Sequence, residues 1–258
     1  MNMDRIKRTA IKAAFESGRI LQAHFGKVLD IRKKSAVDLV TQADTASEAA
    51  IIGIIRKSFP EHSILAEESG FDQGDPAHQW IIDPLDGTVN FAHQVPIFSI
   101  SIAFARNGTP EMGVVLNPVS GELFTAVTAE GAFLNDRPIH VSDTPVVGDS
   151  LLATGFPYNL RSCFDTITQR LTNCLRAARG IRRLGSAAID LCALSCGRFD
   201  GYWEQNLHPW DTAAGLVIAR EAGAVVTDFD NNPFQIEHQE ILATNGRIHA
   251  EMLKLLTI

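Results

Sequence analysis

The amino-acid sequence predicts a mixed α+β and α/β fold, a sandwich in which layers of helix alternate with layers of sheet. Three features of the chain support this prediction. It opens with helical apolar periodicity, changes to the two-residue alternation of β-strands, and from about residue 146 places strands and helices in turn. With 258 residues, of which 45% are hydrophobic, the chain can also bury a sizeable core.

Two helices are predicted at the start of the chain. The first follows an apolar stripe that stops at Gly26 and consists of Ile6, Ala10, Phe15, Gly18, Leu21 and Phe25. A second helical run extends from about Thr45 to Phe59.

An antiparallel meander is predicted next, because the period changes from Ile64 onward. Large apolar and small residues alternate over 98–105, and Asn107-Gly108 then offers a tight hairpin turn. Further short strands, which extend the meander to about residue 142, are expected at 114–116, 123–127 and 132–134.

The second half of the chain alternates between strand and helix. Strands are expected near Leu151, Ile181, Tyr202 and Val225, and helices over about 165–178, from Ser186 and from Trp210. We therefore expect two subdomains that share one core, with the active site between them. Residues 1–145 would form an α+β unit with the antiparallel sheet and a metal-binding loop, and residues 146–258 an α/β unit.

Composition narrows the classes of function. The formal charge of −7 and the lack of a dense Lys/Arg block argue against direct binding of nucleic acid or of anionic membranes. No stretch approaches the roughly 20 apolar residues of a membrane-spanning helix, so a cytoplasmic location is expected. The chain has four cysteines, and Cys192 and Cys196, one helical turn apart in an apolar run, are expected to be buried thiols.

The segment Trp80–Thr88 carries the strongest chemical signal, because an apolar strand there is followed by two carboxylates three residues apart. Pro84 cannot continue a central strand, so the backbone should turn just after Asp83. Such a turn aims Asp83, the Leu85 carbonyl and Asp86 at one point, and these hard oxygen donors suit Mg²⁺.

The two residues after this pair, Gly87 and Thr88, would supply N–H groups and a hydroxyl where a phosphate could dock at a helix start. An isolated Asp-Gly is more often a simple turn after a strand. The longer string Asp-Pro-Leu-Asp-Gly-Thr makes that alternative a poor explanation here.

The string closely resembles the signature of the inositol monophosphatase family, of the bacterial inositol-1-monophosphatase type. Four further blocks match the family in order and spacing, so that the resemblance covers nearly the whole chain: Lys33–Asp44, Ala66–Ser69, Gly185–Ala187 and Glu204–Gly223. Each block taken alone has a structural alternative. Thr41 with Asp44 fits a helix capping box, residues 67–69 fit a solvated loop, and Asp211 fits a helix cap.

The resemblance implies a set of metal ligands and a Mg²⁺-dependent mechanism without a phosphoenzyme. The implied ligands of two or three Mg²⁺ ions are Glu67, Asp83, the carbonyl of Leu85, Asp86 and Asp211. The implied catalytic residues are Glu67, Thr88 and Asp44. Four crowded carboxylates would take up protons unless cations were present, which supports the grouping independently.

The resemblance also implies a substrate side. The phosphate end of the substrate would contact Asp86, Gly87 and Thr88. The alcohol end of the substrate would contact Gly185, Ser186, Ala187 and Glu204. An ionised Glu204 can accept hydrogen bonds from vicinal hydroxyls, although an exposed acid at a strand end is an alternative. For Arg182, Arg183 and His208, a supporting role in the site and a bland one are equally open.

The expected reaction is hydrolysis of a small phosphorylated polyol, with inositol 1-phosphate as the first candidate. Sister enzymes of this family type act on fructose 1,6-bisphosphate, on both substrates, or on histidinol phosphate, and a regulatory protein on the phosphatase scaffold is the alternative from another class. The resemblance further implies a homodimer and inhibition by lithium.

Overall fold

The structure is a computed structural model that describes residues 2–26, 32–33, 39–40, 42–157 and 163–258. Thr41 of the predicted capping box and residues 34–38 of the block Lys33–Asp44 lie outside the described residues. The described chain forms these α-helices: α1 Met3–His24, α2 Gln42–Ser58, α3 Thr88–Ala92, α4 Phe164–Ala177, α5 Ala187–Ser195, α6 Pro209–Glu221 and α7 His249–Leu256.

The strands fall into one two-stranded ladder and two larger sheets. The ladder pairs β1 Arg32–Lys33 with β2 Leu39–Val40. The strands of the first large sheet are β3 His62–Ala66, β4 Gly70–Asp72, β5 Asp75–Asp86, β6 Ser99–Arg106, β7 Thr109–Asn117, β8 Glu122–Val127, β9 Gly131–Leu134 and β10 Arg137–Pro138. Those of the second are β11 Leu151–Thr154, β12 Gly180–Arg182, β13 Gly201–Gln205, β14 Val225–Thr227 and β15 Glu240–Thr244.

Both large sheets contain parallel strand pairs. The eight-stranded sheet has the order β10-β9-β8-β7-β6-β5-β3-β4, with β3 and β5 parallel and the meander antiparallel. The five-stranded sheet has the order β12-β11-β13-β15-β14. Strand β11 is parallel to its neighbours β12 and β13, and β15 is antiparallel to its neighbours β13 and β14.

Helix pairs and sheets stack as five alternating layers, as the sequence predicts. The pair α1 and α2 packs on one face of the eight-stranded sheet, and α5 and α6 lie between that sheet and the five-stranded one. The pair α4 and α7 covers the outer face of the five-stranded sheet. Among the described residues, no helix combines the length and the apolar composition needed to cross a membrane.

The two faces of strand β6 pack in different cores, which explains why large and small apolar residues alternate along it. Ile102 and Phe104 belong to the core under α1 and α2, whereas Ala103 and Ala105 belong to the core around α5 and α6. Both faces of the strand are therefore covered by helices, and neither face has to be polar.

Most predicted elements are confirmed, and one detail of the first helix is wrong. The hairpin at Asn107-Gly108 is present, with Arg106 opposite Thr109 in antiparallel register. Phe15, however, is 48% exposed. It follows Ala10 by five residues, which turns it about 140° away from the buried stripe. The sequence analysis also missed β15 and α7.

A buried histidine ties β3 to β5 in the first sheet. The Trp80 indole N–H donates to Nδ1 of His62 at 3.1 Å, and His62 is 6% exposed and stacked against Phe59. Because an indole can only donate, this nitrogen must carry no proton. Burial, followed by the charges of His78 and Arg56, lowers the pKa of His62, although Asp75 partly offsets the shift.

A histidine with a depressed pKa binds fewer protons in the folded state than in the unfolded one, so its contribution to stability is lost as pH falls below about 6.5. We expect the melting temperature to drop between about pH 7.5 and about pH 5.5, and to drop less in His62→Gln. Thermal unfolding at both pH values measures this. The control is His140→Gln, which changes an exposed histidine. Equal pH dependence in wild type and His62→Gln would contradict the assignment.

Candidate active site

A cavity of about 300 Å³ lies where the ends of strands from both large sheets meet the starts of α5 and α6. Eleven residues singled out in the sequence line it. They are Glu67, Asp83, Leu85, Asp86, Gly87, Thr88, Gly185, Ser186, Ala187, Glu204 and Asp211. Asp44, the remaining predicted site residue, does not line the cavity; it is fully buried in the first turn of α2.

The expected end of β5 at Asp83 is wrong, because the strand continues to Asp86. Its pairing with β6 shifts register between Asp83 and Asp86, which is a bulge at the proline. The Ser47 hydroxyl of α2 donates to the Pro84 carbonyl at 2.9 Å and so anchors this bulge to the helix layer. The bulge, rather than a strand end, turns both carboxylates toward the cavity.

Local hydrogen bonds fix the loop that follows the bulge. Asp83 Oδ1 accepts from the N–H of Leu85 at 2.9 Å, and the Thr88 hydroxyl donates to the Leu85 carbonyl at 3.1 Å. Gly87 has φ 99°, and a Cβ there would meet the carbonyl oxygens of Ile97 and Gly185 at 3.1 and 3.2 Å. Glycine is therefore required where this loop touches the segment before α5.

Asp86 joins the first sheet to the start of α5. Its Oδ2 accepts from the Ser186 hydroxyl at 2.6 Å and from the N–H of Ala188 at 2.8 Å. Ser186 is the N-cap of that helix, since its hydroxyl also accepts from the N–H of Ile189. One carboxylate thus holds together the phosphate-side loop and two residues at the helix start, one of which, Ser186, is predicted to contact the alcohol.

Asp211 is a helix cap, as one of its two interpretations from the sequence predicts, and its role as a metal ligand stays a prediction. Its Oδ2 accepts from the N–H of His208 at 2.7 Å, so it caps α6, and it lines the cavity as well. The cap fixes the side chain near the acids of the β5 bulge, since the charge of Asp211 acts on Asp83.

Buried carboxyls share this cavity at a high electrostatic cost. Burial, and then the charges of Glu67, Asp86, Asp211 and Asp44, raise the pKa of Asp83 well above its usual range. Burial also raises the pKa of Asp211 and of Asp86, and hydrogen bonds to the chain offset part of both shifts. Without a counter-charge, these groups therefore hold protons more strongly than ordinary carboxyls do.

The chemistry of these donors fits a hard divalent cation such as Mg²⁺. The second carboxylate oxygens of Asp83 and Asp211 accept no protein hydrogen bond within the described residues. As the side chains stand, no three His, Cys, Asp or Glu of the described chain form a group that could hold a metal ion.

The predicted catalytic acids lie at different depths. Glu67 follows β3, and its N–H donates to the Ile82 carbonyl at 3.2 Å, which places it beside the end of β5. Asp44 lies behind the cavity and contributes to the raised pKa of Asp83. The catalytic roles of both residues stay predictions.

Glu204 stands on β13 in the second sheet, whereas the bulge belongs to the first. The Tyr202 hydroxyl donates to its Oε2 at 2.6 Å. Burial raises the pKa of Glu204 to about 7, and the Asp86 charge adds to the rise, whereas Tyr202 and Arg183 oppose it. Glu204 therefore lies between its neutral and ionised forms near neutral pH.

Several residues of the cavity carried no signal in the sequence analysis or only a weak one. They are Gly155, Phe156, Pro157, Arg183, Asn206, Leu207, His208 and Trp210. Among the described lining residues Arg183 is the only Lys or Arg, while Arg182 is exposed beyond the cavity. Gly155 directly follows the parallel strand β11, a position that commonly faces a ligand site in α/β sheets and could have marked it.

Comparison with known proteins shows similarity over nearly the whole chain. A family model described as the inositol monophosphatase family matches residues 2–257. The chain is 47% identical to an inositol-1-monophosphatase of Synechocystis sp., over 96% of this chain and 87% of that protein. It is 42% identical to a protein of Pasteurella multocida named Nus factor SuhB, over 97% of this chain and 95% of that one.

A solved structure has the same fold. The inositol monophosphatase of Anabaena (Nostoc) sp. PCC 7120 superimposes with a TM-score of 0.91 at 44% identity, covering 99% of this chain and 96% of that one. The predicted fold class is thereby confirmed.

Divalent cations should stabilise the protein, because they relieve the repulsion among the buried carboxylates. Saturating Mg²⁺ at about 100 times its dissociation constant would add about 2.7 kcal/mol. That gain corresponds to a rise of roughly 5–10 °C in melting temperature for a chain of this size. In Asp211→Asn, which keeps a cap acceptor but removes one charge, we expect a smaller rise. Thermal scans that superimpose with and without Mg²⁺ would contradict this interpretation of the cavity.

Proposed function

Because the chain belongs to the inositol monophosphatase family and is therefore a phosphoric monoester hydrolase, we propose that it hydrolyses a small phosphorylated polyol with the help of Mg²⁺, and that inositol 1-phosphate is its main substrate. The observation that carries the proposal is the concentration of acidic side chains in one cavity. Glu67, Asp83, Asp86 and Asp211 line it together with Glu204, which comes from a strand of the second sheet.

The proposed ligands of two or three Mg²⁺ ions are Glu67, Asp83, Asp86, Asp211 and the carbonyl oxygen of Leu85. Mg²⁺ held by these residues would supply the Lewis acidity that activates a water for attack on phosphorus and would offset charge on the departing oxygen. The chain supplies the orientation. Three of the acids are tethered by N–H groups of Leu85, Ala188 and His208, so that their direction is set before substrate binds.

The proposed phosphate end lies over the loop that follows the bulge. The Thr88 hydroxyl is buried and donates to the carbonyl of Leu85, one of the proposed ligands, and it would orient the attacking water there. Glu67, at the end of β3, would accept the proton of that water. The N–H groups of Gly87 and Thr88 and the second oxygen of Asp86 complete this end.

The proposed alcohol end comprises Gly185, Ser186, Ala187 and Glu204. In its ionised form Glu204 accepts hydrogen bonds from neighbouring hydroxyls of a polyol, and such charge-assisted bonds are stronger than neutral ones. A simple aryl phosphate has no hydroxyl to offer at this position.

Further expectations have two sources. The homodimer and the inhibition by lithium rest on the family resemblance, whereas the cytoplasmic location, the lack of direct nucleic-acid binding and the subdomain division rest on composition and sequence pattern. We propose a cytoplasmic homodimer that is inhibited by lithium, does not bind nucleic acid directly, and divides into subdomains at residues 145 and 146. An interaction role on the phosphatase scaffold is the second candidate function, because a relative 42% identical to this chain is named Nus factor SuhB.

The test is phosphate release from inositol 1-phosphate, fructose 1,6-bisphosphate, histidinol phosphate and an aryl phosphate, with Mg²⁺ or with excess EDTA. We expect hydrolysis only with Mg²⁺ and the highest kcat/KM for inositol 1-phosphate. In Glu204→Gln, the loss of a charge-assisted contact of roughly 1.5–3 kcal/mol should lower kcat/KM for inositol 1-phosphate about ten- to hundredfold. The aryl phosphate should be hardly affected.

Full activity in EDTA would contradict the metal assignment, and a higher kcat/KM for another ester would replace inositol 1-phosphate as the main substrate. Equal losses on both substrates in Glu204→Gln would mean that Glu204 supports the fold or the metal ligands. A protein that hydrolyses none of the esters would leave the interaction role as the principal one.

A further inference from the structure

The side chain of Glu204 lies in a niche that the neighbouring strand leaves open. Thr154, the last residue of β11, pairs with Trp203 of the parallel strand β13, so Gly155 comes to lie beside Glu204. A Cβ on Gly155 would meet Glu204 Cδ, Oε1 and Oε2 at 2.1, 2.1 and 2.0 Å. The carboxylate therefore occupies the space that any side chain at position 155 would fill.

A hydroxyl on the same strand holds this carboxylate from another direction. Tyr202 precedes Glu204 by two residues, so both side chains leave the same face of β13. Its hydroxyl donates to Glu204 Oε2 at 2.6 Å, and the tyrosine is fully buried in the core around α5 and α6. A ring packed in this way cannot follow Glu204 if the carboxylate moves.

The surroundings offer Glu204 other positions. It borders the candidate site on one side and a smaller cavity on the other, and the lining of the smaller cavity includes Ile167, Arg170 and Leu171. Arg170 donates to Gln205 Oε1 at 2.5 Å and lies 3.1 Å from Glu240 Oε1. Arg183 lies in the candidate site itself. Both guanidinium groups would attract a carboxylate that left its niche.

We propose that Gly155 and Tyr202 are positioning residues that hold Glu204 toward the alcohol end of the site, and that they thereby set selectivity for phosphate esters with neighbouring hydroxyls. This inference rests on the proposed function. It assigns a role to two residues outside the predicted set, and neither residue belongs to the proposed phosphate end.

The test uses Gly155→Ala and Tyr202→Phe in the full-length protein. The methyl group added by Gly155→Ala would displace only the flexible end of Glu204, and Tyr202→Phe removes one hydroxyl from a packed ring, so both variants should fold. We expect kcat/KM for inositol 1-phosphate to fall about tenfold in each, mainly through KM. For an aryl phosphate kcat/KM should change less than about twofold.

Two controls separate positioning from general damage. Gly148→Ala is the matched glycine substitution, because a Cβ there meets only the Ala177 carbonyl oxygen at 3.8 Å, and it should leave both rates unchanged. The double variant Gly155→Ala/Glu204→Gln should lose no more than Glu204→Gln alone, since the glycine acts through that carboxylate. Additive losses would show that Gly155 acts independently of Glu204.

The outcomes distinguish this inference from the proposed function. A wild type that prefers inositol 1-phosphate, with the same preference in both variants, would overturn the inference alone. Equal loss on both substrates would also overturn it. A wild type without that preference would overturn the proposed substrate and the inference together. If Gly155→Ala fails to fold, Tyr202→Phe decides.

Discussion

Repulsion among acidic side chains in one cavity is the constraint on which the rest of this structure depends. Burial raises the pKa of Asp83, of Asp86 and of Asp211, and the charges of neighbouring acids add to the rise at Asp83 and Asp211. Isolated buried carboxylates would be strongly destabilising, and a protein can retain them only with hydrogen bonds, protons or cations. The fold supplies the first of these through the N–H groups of Leu85, Ala188 and His208. The proposed Mg²⁺ ions would replace the protons.

The layered architecture follows from the need to bring these groups together from distant parts of the chain. Asp83 and Asp86 come from a bulge in the first sheet, while Asp211 caps α6 in the central helix layer. Asp86 also reaches the start of α5, where aligned N–H groups favour a negative charge. Glu204 comes from the second sheet. A site between two sheets and a shared helix layer can therefore hold phosphate chemistry and alcohol recognition on separate elements.

The sequence predicted most of the elements because their signals are local. The alternation in β6 and the turn at Asn107-Gly108 are examples. Phe15 is apolar but lies outside the buried stripe of α1, because five residues separate it from Ala10 and a helical stripe needs steps of three or four. The short apolar run of β15 is ambiguous between strand and helix, so that strand was missed. At Asp83 the proline suggested a strand end, although β5 accommodates it in a bulge.

Residue types in the sequence indicated the chemistry of the site, but they did not indicate which residues orient its side chains. The niche beside Gly155 depends on the parallel pairing of β11 with β13. The residues near Gly155 in the sequence do not indicate that the Glu204 carboxylate will lie there. The bond from Tyr202 to Glu204 likewise depends on strand geometry and packing. Motif resemblance identifies the groups that would touch substrate, whereas the residues that orient them become visible only in three dimensions.

The most direct test of this account is the number of protons released when Mg²⁺ binds. Calorimetric titration at about pH 6.5, in two buffers of different ionisation enthalpy, gives that number from the difference in observed heat. Carboxyls that hold protons in the metal-free protein must lose them to become ligands. The account therefore predicts net release, decreasing as pH rises. Mg²⁺ binding with the same heat in both buffers, or no binding at all, would contradict it.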